Sequence, residues 1–139
     1  MSRPSSLRKH STSVLFDAVR SAARELPGVE DVIRYDGTPV LKLGGCFMAG
    51  LASHQSAEPD TLVVRYSIEE REWLLQDAPE TYYLTSYYQP YPLILVRLRH
   101  VGHDALRDLL KVSWQLTAAK SARRRTAAGA LDTTRGART

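Results

Sequence analysis

Cysteine, histidine and grouped carboxylates are the residues whose chemistry would mark an enzyme or a metal site. Cys46 is the single thiol, and it could act as a nucleophile if a histidine and a lowered pKa assisted it. It stands beside Gly44-Gly45 among apolar neighbours, a setting that suits a buried structural thiol. His100 and His103, with His54 and Cys46, invite a metal reading. A strand end and a turn separate the histidine pair, however, and no Cys-x-x-Cys supports it. Solvated loop histidines are the simpler account. Glu69, Glu70 and Glu72 resemble acid–base carboxylates, yet in the first turns of a helix they complement its dipole. No glycine loop leads into Lys-Ser or Lys-Thr, and no serine occupies a nucleophile-elbow pattern. The expectation is a non-enzymatic protein with no metal and no cofactor.

The stretch "YYLTSYYQPY" raises a different possibility, since it holds five of the seven tyrosines: Tyr82, Tyr83, Tyr87, Tyr88 and Tyr91. Binders of single strands interleave aromatic rings with cations, because bases stack while cations meet phosphates. Between Arg71 and Arg97 there is no Lys or Arg at all, so the cluster is a poor stacking platform. Two readings stay open: packing on a half-buried sheet, and a surface for a protein or small-molecule partner.

Cations fall elsewhere. Residues 1–11 carry three basic groups and no acid, and residues 119–139 carry six against Asp132. The middle holds ten basic and fourteen acidic residues, so the net charge of +4 comes from the ends. A basic total of that kind does not by itself argue for nucleic acid. The strand-like stretches are more informative: "VLKL", "TLVVRY" and "LILVRLR" contain Lys42, Arg65, Arg97 and Arg99 and no acid. Strand alternation puts Ile94, Val96 and Leu98 on one face and Arg97 and Arg99 on the other.

Those residues need elements to hold them. After Ser11-Thr12-Ser13, a helix is expected to bury Val14, Leu15, Ala18, Val19, Ala22, Ala23 and Leu26 until Pro27-Gly28 stops it. "VEDVIRY" reads as a strand, "DGTP" as a turn, and Gly44-Gly45 as the tight turn of a hairpin. Ser67 and Glu70 form a capping box that opens "IEEREWLLQD", with Trp73 and Leu74 inward. A last helix begins at Asp104 with Leu106, Leu109, Leu110 and Trp114 on its buried side. The fold class is therefore α+β: an antiparallel β-sheet with N- and C-terminal helices packed on one face. Residues 1–11 read as a flexible basic tail, 12–119 as one domain, and 120–139 as a basic disordered tail. The longest aliphatic run, Leu93 to Val96, is far too short to cross a bilayer, and a lone cysteine fits a reducing cytoplasm.

With these segments placed, "ELPGVEDVIRYDGTPVLKLGGCFMAGL", "DTLVVRYSIEEREWLL", "APETYYLTSYYQPYPLILVRL" and "ALRDLLKVSWQL" together resemble the MmcQ/YjbR family over about residues 13 to 120. The resemblance implies a CyaY-like α/β sandwich and a predicted double-wing DNA-binding motif, whose hairpins approach nucleic acid. It brings no catalytic residue and no cofactor. The expectation that follows is a cytoplasmic binding protein contacting DNA phosphates through Lys42, Arg65, Arg97 and Arg99. Lys120, Arg123, Arg124 and Arg125 would assist, with little base reading. The alternative is a protein-interaction or small-ligand module using Tyr82, Tyr83, Tyr87, Tyr88 and Tyr91. Oligomeric state is not specified by these patterns.

Overall fold

The computed structural model describes residues 14–138, with side chains described for 14–127. Residues 1–11, expected to form a flexible tail, lie outside the described residues. Helix α1 (14–23) leads through the Pro27-Gly28 turn into β1 (Val29–Ile33), β2 (Pro39–Leu43), β3 (Cys46–Leu51) and β4 (Thr61–Arg65). Then come α2 (Arg71–Asp77), β5 (Tyr82–Tyr83), β6 (Leu93–Arg97) and the long α3 (His103–Arg138). The strands form one antiparallel sheet in the order β1-β2-β3-β4-β6-β5. Short links pair β1 with β2 and β2 with β3, whereas α2 and β5 intervene between the neighbours β4 and β6, and the class is α+β as the sequence implies. Among the described residues, no helix is long and apolar enough to cross a membrane.

Register decides which side chains share a face. Leu41 lies opposite Ala49, Leu62 opposite Val96 and Val64 opposite Ile94. These residues meet Phe16 and Val19 of α1 and Leu106, Leu109 and Leu110 of α3 in one core. Each large aliphatic or aromatic side chain removed from water there contributes about 1.5–3 kcal/mol. The opposite face carries a smaller cluster, Val63, Leu95 and Tyr88, beneath the loops that follow β3 and β5.

Four local expectations are corrected. The buried stripe of α1 contains Phe16 rather than Val14 and Ala18, which are exposed. Helical phase explains this: Phe16, Val19 and Ala23 repeat at three and four, and the heavier ring takes the core position. Trp73 points outward, 73% exposed, while Arg71 is the buried residue of α2. The Arg71 guanidinium donates to the carbonyls of Gln89, Tyr91 and Leu93, so hydrogen bonding joins Leu74 and Leu75, which pack on the core, in fixing that helix's inner side. Glu70 N–H does donate to Ser67 Oγ at 3.3 Å, but α2 itself starts only at Arg71 and residues 68–70 form a turn. Finally, the boundary placed at Ala119 falls inside α3, and Ser121 is buried against the sheet's hairpin.

Candidate functional site

Gly44 and Gly45 join β2 to β3 with positive φ values of 57° and 77°, the pairing that a type I′ turn demands. Such a turn follows the twist of the strands and lets a long helix lie close against it. The side of α3 facing it is built for that approach. Ser113, Thr117 and Ser121 recur every fourth residue and are all buried. Ser113 Oγ donates to Met48 O at 2.9 Å, and Thr117 Oγ1 to Ser113 O at 2.7 Å. Ser121 sits so near Gly44 that a Cβ on the glycine would collide with its Oγ and stand 3.0 Å from its Cβ. Hydropathy reading misses this stripe because its members are polar. Small hydroxyl residues at spacing four, continuing a leucine stripe, were the available signal.

This docking brings cations from three elements to one end of the sheet. Arg124 Nη1 donates to Cys46 Sγ at 3.3 Å, and Arg125 Nη1 to Ser121 Oγ at 3.3 Å. From the opposite face, Arg65 at the end of β4 donates Nε to Phe47 O at 2.8 Å. Two arginines are thus tied to consecutive residues of β3. Burial pulls the Arg65 guanidinium below its usual pKa, yet a guanidinium keeps its charge. Lys42 stands opposite Phe47 across the hairpin. Lys120 and Arg123 are exposed one turn from this contact. Among the described residues, no carboxylate lies within ion-pair distance of these six cations. The α3 sequence contains no acid between Asp108 and Asp132.

Arg97 and Arg99 do not join them. Thr61 pairs with Arg97 and Arg65 with Leu93, so the two arginines occupy the far end of β4, about 13 Å along the strand from Arg65. Their charges are also engaged. Arg97 grips Glu58 with two hydrogen bonds, 3.0 and 2.7 Å, and donates to the carbonyls of Pro79 and Glu80. Its guanidinium lies 4.3 Å from the centre of the Tyr83 ring. The hydrogen bond from Arg97 holds the Glu58 carboxyl below the usual carboxylate range. Arg99 pairs with Asp60 at 2.7 Å. These are staples between loops.

The tyrosines divide between both readings of the segment. Tyr82 faces the helix-side core. Tyr83 lies on the other face, where its hydroxyl accepts from Glu58 N–H at 2.8 Å and meets Thr61 Oγ1 at 2.6 Å. Tyr88 is buried, and its hydroxyl accepts from His54 N–H. Tyr87 and Tyr91 are about half exposed, and Tyr87 stacks on His54 with centroids 3.5 Å apart. His54 Nδ1 accepts from the Ser56 backbone and contacts Ser56 Oγ, so it is tied within its loop. Beside this cluster is a cavity of about 210 Å³ lined by Arg34, Phe47, Val63 and Tyr88 among others. Cys46 is buried at the hairpin, as its apolar neighbours implied.

No family model and no curated protein matches the sequence. Among solved structures the chain is similar to the crystal structure of Deinococcus radiodurans protein DR2400, which carries the domain DUF419. The identity is 25%, the TM-score 0.60, and the match covers 73% of this chain and 76% of that one. The likeness shows a shared fold over that part of each chain.

Proposed function

We propose that the protein is a non-enzymatic, cytoplasmic DNA-binding protein of the MmcQ/YjbR type that contacts phosphates at the β2–β3 hairpin. DUF419 is related to that family, which supports the assignment. The observation that carries it is the group Lys42, Arg65, Lys120, Arg123, Arg124 and Arg125, drawn from a hairpin, a strand end and a helix, with no carboxylate paired to it among the described residues. Unpaired cations on a body that is otherwise acidic concentrate field at one end, where a polyanion can dock and release its counterions. Arg97 and Arg99 take no part in this reading, since their charges are spent on Glu58 and Asp60. Phosphate contact positions a duplex without reading its bases, so weak sequence preference is expected.

Fluorescence anisotropy on a labelled duplex, titrated between 50 and 200 mM salt, tests this. Six phosphate contacts give a slope of log K against log salt of about −5, and affinity falls about a thousandfold over that range. Replacing Lys120, Arg123, Arg124 and Arg125 by alanine leaves two contacts and a slope of about −2. Arg99→Ala leaves the slope unchanged. No binding to any duplex at 50 mM salt, or a slope indifferent to the fourfold replacement, refutes the proposal.

A second reading rests on a separate observation. Tyr87 and Tyr91, 6.3 Å apart and exposed next to the Arg34 cavity, offer an aromatic surface to a protein or small-molecule partner. Loss of partner capture by Tyr87→Ser, with the DNA salt slope intact, would separate it from the first.

A further inference from the structure

Strand β1 is one edge of the sheet: β2 pairs with one side of it, and among the described residues no strand pairs with the other. Its register with β2 runs unbroken from Val29 to Ile33, with no proline and no bulge in the strand. The opposite edge, β5, is only two residues long. Arg34 N–H donates to Thr38 O at 2.8 Å, and Pro39, which has no N–H, lies opposite Ile33. Antiparallel alternation therefore turns the backbone groups of Glu30 and Val32 toward β2 and those of Val29, Asp31 and Ile33 outward. An edge with a row of outward donors and acceptors is a template for another strand.

The side chains beside this edge say which strand fits it. Ile33 is 57% exposed, and Tyr35, just past the strand, is fully exposed. On the helix side, α1 and β1 border an open groove of about 410 Å³ whose apolar lining includes Ala23, Leu26, Val29 and Leu41. Trp114 Nε1 donates to Pro27 O at 2.8 Å, which holds the turn closing that groove. Arg20 is spent on Asp17 and Asp31. Arg24, also on the lining, has no carboxylate within ion-pair distance among the described residues.

We propose that the outer edge of β1 pairs with β1 of a second copy, antiparallel about a twofold axis at Val32, in a self-complementary dimer. The charges select this register. Centring on Glu30 or Asp31 opposes each acid to its own counterpart, and centring on Ile33 opposes Glu30 to Asp36, arrangements that like charges disfavour. Centring on Val32 sets Asp31 opposite Ile33, so that outward-facing residues exchange backbone hydrogen bonds, and it sets Glu30 opposite Arg34. It also carries Tyr35 and Asp36 of the second copy to Val29 and Gly28, the end of the groove that Arg24 lines. The exposed Tyr35 ring then covers apolar lining, and the exposed Asp36 carboxylate answers the free charge of Arg24. Symmetry makes each of these contacts twice.

Sedimentation velocity of the full chain, from micromolar to submillimolar concentration, tests this together with amide hydrogen exchange. A reversible doubling of mass is expected, with exchange at the Val29, Asp31 and Ile33 amides slowing as the dimer forms. Ile33→Pro removes an outward donor while the inner ladder is kept, and it weakens association about tenfold. Arg24→Glu sets a carboxylate against Asp36 and weakens association by a similar factor, with the circular dichroism spectrum unchanged. A chain that is monomeric throughout, a dimer that leaves the three amides unprotected, or a dimer that both variants form as readily as the parent overturns the proposal. So does a monomer whose edge amides become protected only on adding a peptide of alternating valine and threonine, which makes the occupant a different chain. Mass and edge protection are read without DNA, so this proposal and the DNA reading fail or stand independently.

Discussion

Replacing Gly44 by alanine tests whether α3 beyond Ala119 is seated on the hairpin, the contact on which the cation group depends. The added Cβ must occupy a φ of 57°, where a left-handed residue costs about 1–2 kcal/mol. It must also displace Ser121, whose Oγ it would overlap, at the cost of an overpacked contact of about 1–3 kcal/mol. Loss of glycine entropy from the unfolded chain returns about 0.4–1 kcal/mol. The net destabilisation is about 2–3 kcal/mol. Gly45→Ala supplies the control, because its φ is 77° but nothing lies within 4 Å of the new methyl. It carries the strain without the overlap. Urea unfolding followed by tryptophan fluorescence reads both variants. Ser121→Gly should recover about 1–2 kcal/mol in the Gly44→Ala background while slightly destabilising the parent. Equal losses at Gly44 and Gly45, with no coupling to Ser121, would refute the docking and with it the shared position of Arg124 and Lys42.

Three further outcomes are expected. Arg71→Leu removes the guanidinium donors from the carbonyls of Gln89, Tyr91 and Leu93, costing about 3 kcal/mol in urea unfolding and raising hydrogen exchange across residues 85–93. The Glu58 carboxyl is depressed in the folded state by Arg97, so its contribution is present above its unfolded pKa of about 4.3 and lost as pH falls through the lower folded value. Exposure limits that contribution to below about 1 kcal/mol, and Glu58→Gln should flatten the step in an acid unfolding series. Burial raises the Tyr66 and Tyr82 phenols, so their stabilising effect is complete below the ordinary tyrosine pKa and lost as pH rises through the folded values. An ultraviolet titration should show late-ionising phenols, one fewer in Tyr82→Phe.

Much of the scaffold was legible because local rules and the fold agree. Alternation in "LILVRLR" placed Ile94 and Val96 inward and Arg97 outward, and that is their arrangement about β6. Gly44-Gly45 announced its turn because only glycine adopts two successive positive φ values without cost. Trp73 was misplaced for a physical reason. Hydropathy ranks tryptophan inside and arginine outside, whereas the carbonyls of Gln89, Tyr91 and Leu93 hold the Arg71 guanidinium on the inner side. The disordered reading past Ala119 came from composition, which registers Ala, Arg and Thr but not the Ser113–Thr117–Ser121 stripe that lays the helix on Gly44.

The sequence alone determined the class, the strand order along the chain, the turns and the alternation of each strand, because these depend on neighbours a few residues apart. Which cations lie together was decided only by the tertiary structure. Lys42, Arg65 and Arg124 gather at one end of the sheet, while Arg97 and Arg99 meet Glu58 and Asp60 at the other. Partners 39 residues apart are invisible to spacing, and the charge left free on a side chain depends on the carboxylate that folding sets beside it.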